Sequence, residues 1–265
     1  MTHWRSICLL LCSAVLLAAC GHVTELRNTR LVQAAEFNQR AEHAFRHGEY
    51  QRAATLYGQA LQLDVAIEYV DGIAINTLNL AKVNQMMGNT VQAEQLLDQL
   101  LGDQALRYAP LYLAEAAVQK ALLRLQKGDA VAAAVWVDRA TGWCEPDCKL
   151  SGVIANVRAG IALRMNDGEQ ALYWSDRGLA ANRDIPLEQA NALRLQASAK
   201  LMQNVPDEAL RLAQEALRID KSLGLPEKIR QDLLLSAQAH EQLGHTEQAG
   251  HFRERAARIA AAAVK

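Results

Sequence analysis

Aromatic residues and prolines are scarce in this sequence. Phe, Trp and Tyr make up 5% of its 265 residues, and five residues are proline. Ala and Leu dominate a hydrophobic fraction of 51%. This composition argues against a β-rich or disulfide-dense fold and favours closely packed helices.

Long runs of charge of one sign are also missing. The chain has 28 Lys and Arg against 29 Asp and Glu, a formal net charge of −1. A nucleic-acid-binding surface needs a basic stripe to neutralise phosphates, and none is present. The charge pattern therefore excludes nucleic acid as an expected partner.

Motifs of catalysis and of metal or cofactor binding are absent from the sequence. It contains no Gly-x-Ser-x-Gly elbow, phosphate-binding glycine loop or calcium loop. His43 and His47 lie four residues apart and could share a metal, but no third ligand is indicated, and two solvated histidines are the simpler interpretation. We expect no catalytic residue, metal or cofactor, although an enzyme built from distant residues stays open as an alternative.

One short apolar run lies near the N-terminus, behind Arg5, from about Ile7 to Leu17. It is too short to cross a hydrocarbon core of roughly 30 Å as a helix. A charged start, an apolar centre and small residues at the end are typical of a secretory signal peptide. An ordinary signal peptide with an incidental cysteine at position 20 is one interpretation.

Residues 17–20 read Leu-Ala-Ala-Cys and resemble the lipobox at which bacteria cut and lipidate secreted proteins. The resemblance implies cleavage before Cys20, lipidation of its sulfur and acylation of the new amino terminus. Several acyl chains make a stable anchor where one would be marginal. Gly21 follows in place of the Asp that retains many such proteins in the inner membrane. The resemblance thus implies an outer-membrane lipoprotein. We expect it to face the periplasm, with the cell surface as the alternative orientation.

Beyond Cys20 the sequence repeats with a period near 40 residues. One alanine marks each unit, at spacings of 40, 40, 38, 38 and 40: Ala41, Ala81, Ala121, Ala159, Ala197 and Ala237. A second alanine follows each by twelve residues: Ala53, Ala93, Ala133, Ala171, Ala209 and Ala249. Between them lie residue types that tolerate the left-handed backbone that ends a helix: Gly48, Gly88, Gly128, Asn166, Asn204 and Gly244. Each unit is therefore predicted to be helix, tight turn, helix.

These units resemble tetratricopeptide (TPR) repeats, which place a small residue on each helix where the two axes cross closely. The first unit matches best, with Ala41, Gly48, Tyr50, Ala53, Tyr57, Ala60 and Asp64. The resemblance implies an all-α superhelical array of about six TPR-like helix-turn-helix units. We expect three segments: a lipoprotein signal peptide at 1–19, a lipidated N-terminus and tether at 20–29, and the repeat domain at 30–265.

Cys144 and Cys148 lie between the third and fourth units. In an oxidising periplasm they are predicted to form a disulfide that pins a local turn. A redox-active pair is one alternative, although the spacing is not Cys-x-x-Cys and no βαβ pattern surrounds it. Half of a zinc site is another.

The TPR resemblance also implies that the first helix of each unit lines a concave surface that holds partner proteins. The family's inward-facing positions give candidate partner-binding residues that are apolar in the second and third units and polar in the fourth and fifth: Leu78, Met86, Val118, Leu122, Leu125, Asn156, Arg164, Asn191 and Arg194. Such a groove suits a peptide with apolar anchors at one end and carboxylates or backbone held at the other. The alternative is that long helices bury much of this stripe as ordinary core.

The predicted function is that of a membrane-anchored TPR adaptor, which binds envelope proteins or peptides and supports assembly of an envelope complex without chemistry. It resembles the class that contains TPR lipoproteins of the β-barrel-assembly machine, pilotins and scaffolds for peptidoglycan hydrolases. The alternative is an envelope enzyme or a glycan-binding module, such as a peptidoglycan-associated factor. Convergent titratable groups in a deep pocket would favour that alternative, and an open groove favours the adaptor.

Overall fold

The computed structural model describes residues 29–144 and 148–262. Within these ranges it consists of twelve α-helices and no strand, and no helix there is long and apolar enough to cross a membrane. The predicted signal peptide, Cys20 and nearly all of the tether lie outside the described residues. The helices are α1 (Thr29–Arg46), α2 (Tyr50–Ala66), α3 (Val70–Met86), α4 (Thr90–Gly102), α5 (Pro110–Gln126), α6 (Ala130–Trp143), α7 (Ser151–Arg164), α8 (Gly168–Ala181), α9 (Pro186–Met202), α10 (Pro206–Leu223), α11 (Pro226–Gln242) and α12 (Thr246–Ala262).

Consecutive helices pair into six units, from α1–α2 to α11–α12, and a tight turn closes each unit. The turn residue predicted in every unit has a positive φ: Gly48 (76°), Gly88 (81°), Gly128 (81°), Asn166 (60°), Asn204 (58°) and Gly244 (76°). Gly and Asn adopt this left-handed backbone more readily than other residues, so the turn chemistry sets where each first helix ends. The prediction of six helix-turn-helix units is confirmed.

The two alanines that mark each repeat unit, one on each helix, are called the marker alanines. All twelve are buried where the paired helices cross. Each is at most 1% exposed. A methyl side chain lets the two backbones approach closely, and interiors packed to this density leave no room for a larger group. The alanine pairs therefore fix the register of each unit.

The first helices of successive units contact one another, from α3 to α5, α5 to α7, α7 to α9 and α9 to α11. No comparable contact joins the second helices of successive units in the described ranges. First helices thus form the tightly packed inner layer, and second helices spread along the outer side. The result is an all-α superhelical array whose inner, concave surface belongs to the first helices.

A recurring cross-link joins neighbouring units on the outer side. A cation one residue before the marker alanine pairs with an Asp on the preceding second helix and lies over a Trp ring on the second helix of its own unit. Two sets share this arrangement: Lys120 with Asp98 and Trp136, and Arg158 with Asp138 and Trp174. The cation lies 4.3 Å from the ring centroid in the first set and 4.9 Å in the second. Cation–π contact and charge pairing therefore hold the third and fourth units in a fixed relation to their predecessors.

The sulfur atoms of Cys144 and Cys148 lie at bonding distance, 1.94 Å apart. Cys144 follows the last residue of α6, and Cys148 lies three residues before α7 begins at Ser151. The bond would thus close the connection between the third and fourth units.

We predict that a thiol count on the unreduced, denatured mature protein will find neither cysteine of this pair free. Because the bridged loop is far shorter than 15 residues, replacing both cysteines by Ser should cost less than about 3 kcal/mol of stability. Two free thiols would contradict the disulfide. An activity lost in the double Ser variant at unchanged stability would favour the redox alternative instead.

Candidate partner-binding groove

Solvent-exposed side chains recur at a fixed position of the first helix in every unit. The residue five positions after the marker alanine of the first helix is exposed in all six units: Arg46, Met86, Gln126, Arg164, Met202 and Gln242. In the third unit, Leu122 directly follows the alanine and is 39% exposed. Three predicted groove residues, Met86, Leu122 and Arg164, are therefore accessible on first helices, and their part in a groove stays a prediction.

Large apolar side chains are left in solvent on the first helices. Met86 is 49% exposed, Ile75 36% and Met202 39%. Leu125 is half-buried and packs against the core shared by the third and fourth units. We call Ile75, Met86, Leu122 and Met202 the apolar stripe of the groove.

Four other predicted groove residues are buried, and the prediction that they line the groove is wrong. Leu78 is 2% exposed, Val118 4%, Asn156 6% and Arg194 9%. All four lie three residues before a marker alanine. At this position the side chain points into the junction between its own first helix and the first helix of the next unit. Leu78 accordingly packs in one core cluster, with Leu97 and Ala116, and Val118 in another, with Val137 and Ile154.

Arg194 is the centre of a buried ion triad. Its guanidinium donates to Asp232 Oδ1 at 2.8 Å and also pairs with Asp220, and both carboxylates are fully buried. Asn191 Oδ1 accepts hydrogen bonds from Arg194 at 2.8 Å and from Lys228 at 3.1 Å. The charge of Arg194 and the oxygen of half-buried Asn191 thus serve the packing of α9 against α10 and α11.

Asn156 is held between three helices. Its Nδ2 donates to the backbone oxygen of Glu188 at 3.0 Å and to the carboxylate of the same residue at 2.9 Å. A Cβ added at Gly178 would lie 2.1 Å from Asn156 Oδ1, so α8 passes directly against this side chain. Of the four polar groove residues predicted in the fourth and fifth units, Arg164 is therefore the one that is exposed.

Burial shifts the pKa values of ionisable side chains at these junctions. Burial raises the pKa of Asp232 to about 7, and the attraction of Arg194 offsets only part of that effect. Burial, with repulsion from Arg194, lowers the pKa of Lys228. On the inner surface, burial also raises the pKa of Glu115, and the nearby Lys82 partly offsets it.

Asp232→Asn should alter how stability depends on pH. A carboxyl whose folded pKa lies above its unfolded value of 3.8 binds its proton more tightly in the folded state. Preferential protonation of Asp232 in the folded state stabilises the protein fully below pH 4, and this stabilisation is lost as the pH rises to about 7. Between these limits the free energy of unfolding should fall more steeply in the wild type than in the variant. Urea titrations from pH 4 to pH 8 measure both curves, and parallel curves would contradict this origin of the shift.

Both histidines singled out by the sequence are exposed, His43 on α1 and His47 directly after its last residue. Their rings stack with centroids 4.2 Å apart, and His47 Nδ1 lies 2.8 Å from the backbone oxygen of His43. Among the described residues, no three side chains of His, Cys, Asp or Glu are grouped to hold a metal ion.

Comparison with known proteins connects this chain to others through its fold. No protein-family model matches the sequence, and neither does any curated protein. Solved structures with a similar fold include the following three. BtubC (BKLC) from P. vanneervenii is 21% identical with a TM-score of 0.55, over 88% of this chain and 92% of that one. A Rap protein complexed with competence and sporulation factor is 12% identical with a TM-score of 0.63, over 85% of this chain and 65% of that one.

The apo form of RapI is 10% identical with a TM-score of 0.59, over 88% of this chain and 67% of that one. This chain therefore spans about two thirds of the length of the two Rap structures. The similarity establishes the fold alone. The Rap structures are TPR-like superhelices, in agreement with the six-unit array.

Sequence reasoning missed the carboxylates of the ion triad. Asp220 lies eleven residues after its second-helix alanine, and Asp64 occupies the same position in the first unit. Asp232 follows Asp220 by twelve residues, and Asn76 follows Asp64 by the same twelve. This repeated spacing of polar residues could have identified the buried carboxylates, because a polar residue at a fixed place next to buried alanines requires a buried partner.

Proposed function

We propose that this protein is a lipid-anchored adaptor of a bacterial envelope that binds segments of other proteins in its concave groove. The apolar stripe carries this proposal. Most large apolar side chains of the first helices are packed in the core, whereas Met86 and Leu122 remain in solvent at the inner surface. A partner that covers such residues removes apolar area from water, which contributes on the order of 1–2 kcal/mol for each anchor.

Two further observations support a binding role. The first helices of the second to sixth units contact one another in series, so an extended segment can contact several of them at once. The similar Rap structure is complexed with competence and sporulation factor, which shows that a related superhelix holds a separate factor.

The arrangement of titratable groups favours an adaptor over an envelope enzyme or a glycan-binding module. The group formed by Arg194, Asp220 and Asp232 is buried and paired internally. A cavity of about 690 Å³ beside Cys144 is lined by Arg158 and Arg177, and none of its described lining residues is a carboxylate. Acid–base hydrolysis needs titratable groups that converge on the substrate, and neither place provides an accessible pair.

The place of action rests on the sequence at Cys20. We propose that the lipid anchor holds the array at the periplasmic face of the outer membrane, where it supports assembly of an envelope complex. The first described helix begins at Thr29, only nine residues beyond the lipidated cysteine. A tether of that length keeps the first unit of the array close to the membrane.

Cys20→Ser should move the protein from the membrane fraction to the soluble fraction, because the variant has no thiol to carry the diacylglycerol. Mass spectrometry of the wild-type amino terminus should show acyl chains on Cys20. A Ser variant at Cys144 and Cys148 is the matched control and should stay in the membrane fraction. An unmodified mature terminus downstream of Cys20 in normal cells would contradict the anchor.

The adaptor role is tested by capture from crosslinked envelopes, with the bound proteins identified by mass spectrometry. We expect specific envelope proteins with the wild type and their loss in variants of the apolar stripe. Folded stripe variants that retain every partner would show that the binding surface lies elsewhere.

A further inference from the structure

Two junctions of the array are built from the same three repeat positions. In the fifth unit, Arg194 reaches Asp220 at the end of its own second helix and Asp232 on the next first helix. In the first unit the corresponding residues are Asn38, Asp64 and Asn76. Asn38 Nδ2 donates to Asn76 Oδ1 at 3.0 Å, and Asn76 Nδ2 donates to Asp64 Oδ2 at 2.7 Å. The first junction is thus the counterpart of the ion triad.

The first junction differs because no cation among the described residues pairs with Asp64. The Asn38 side chain is shorter than that of Arg194, and its amide bonds to Asn76 and not to Asp64. Asp64 is 2% exposed, and its Oδ1 has no hydrogen-bond partner within the described residues. Burial raises the pKa of Asp64, and the hydrogen bond from Asn76 offsets part of this effect. A buried carboxylate oxygen that accepts no hydrogen bond is costly, so Asp64 Oδ1 favours a donor from outside the junction.

A cavity is lined by all three residues of the first junction. Its volume is about 430 Å³, and Asn38, Asp64 and Asn76 form its polar part. Leu31, Tyr69 and Ile75 also line it, and these three are 39%, 41% and 36% exposed. Apolar and aromatic walls suit an aliphatic stem with a cationic end, since the stem packs against them while the charge reaches the carboxylate.

We propose that this cavity binds an arginine side chain of a partner protein, whose guanidinium pairs with Asp64 as Arg194 pairs with Asp220. Arginine is favoured over other cations because the protein itself uses a guanidinium at the equivalent place, with one nitrogen directed to each acceptor. Ile75 belongs both to this cavity and to the apolar stripe. The inference therefore rests on the proposed function and names one side chain that the partner contributes.

The test uses N-acetyl-arginine amide as the probe, with N-acetyl-citrulline amide as its uncharged analogue of matching shape, in NMR titrations of the mature protein. We expect saturable shifts of the Asp64, Tyr69 and Asn76 signals with the arginine probe, and binding at least about tenfold weaker with citrulline. Asp64→Asn should weaken arginine binding by a similar factor. The variant is compatible with the fold, because Asn182 occupies the equivalent position in the fourth unit.

A second variant places the cation inside the protein. Asn38→Arg should recreate the triad with Asp64, raise the thermal midpoint and abolish binding of the arginine probe. Gln33→Arg, on an exposed part of the same helix, is the matched control and should leave probe binding unchanged. Absence of arginine binding to the wild type, equal binding of citrulline, or full binding to Asp64→Asn or Asn38→Arg would overturn the proposal. Partner capture that still depends on Leu122 would then leave the adaptor role standing.

Discussion

Arg194→Met should lower the free energy of unfolding by about 3–5 kcal/mol, the range for removing one partner of a buried ion pair. The substitution keeps an unbranched side chain of similar reach but leaves Asp220 and Asp232 fully buried without their cation. Asn191 also loses one of its two donors. Urea denaturation followed by circular dichroism measures the effect, which is expected to be the largest of any single substitution discussed for this protein.

Arg164→Met is the matched control, because it removes the same side chain from an exposed position of the groove. We expect a change within about 0.5 kcal/mol, as for most surface substitutions. Adding Asp220→Asn and Asp232→Asn to Arg194→Met should restore much of the lost stability, since the carboxylates then carry no charge. Equal stability of the Arg194→Met and Arg164→Met variants would contradict the buried triad. Arg194 would then again be a candidate partner-binding residue of the groove.

Leu122→Asp should weaken capture of the envelope partner roughly thirtyfold or more, the loss that a central binding residue of about 2 kcal/mol produces. The charge would lie in the middle of the apolar stripe, where a partner's apolar segment would have to desolvate it. Because Leu122 is 39% exposed in the free protein, the folded array should tolerate the change. Quantitative pull-down from crosslinked envelopes measures the loss.

Val135→Asp is the matched control for this substitution. Val135 belongs to the second helix of the same unit and is 51% exposed, so it tests a charge on the outer side. Capture should be unchanged in this variant, and both variants should keep the helical signal of the wild type. Arg164→Ala should weaken capture of acidic partners at low salt, with an effect that fades at high salt. Equal loss of capture in the Leu122 and Val135 variants would argue against a groove on the inner side.

The sequence predicted the repeat architecture closely because local chemistry determines it. A left-handed turn selects Gly or Asn within one residue, so Asn166 and Asn204 could be placed in register with the glycines. A close helix crossing selects alanine, as at Ala121 and Ala133, which are fully buried. Each feature depends on a few neighbouring residues, and the repeat multiplies the signal six times.

The groove was predicted less well because burial there depends on residues about 38 positions away. Whether Arg194 faces solvent or a carboxylate is decided by Asp232 on the next first helix, which one helical wheel does not show. Leu122 and Met86 are exposed, so their place in the groove stays a prediction. A comparison of polar residues between repeats would have identified the junction positions, and it is this comparison that relates Asn38 to Arg194.

Site-specific photo-crosslinking in intact cells tests the central claim most directly. A benzophenone side chain at position 122 lies in the groove, and the same group at position 135 lies on the outer side of the same unit. We expect discrete crosslinks to one or a few envelope proteins from position 122, none of them formed from position 135. Crosslinks to the same proteins from both positions, or from position 135 alone, would contradict a binding groove on the concave surface.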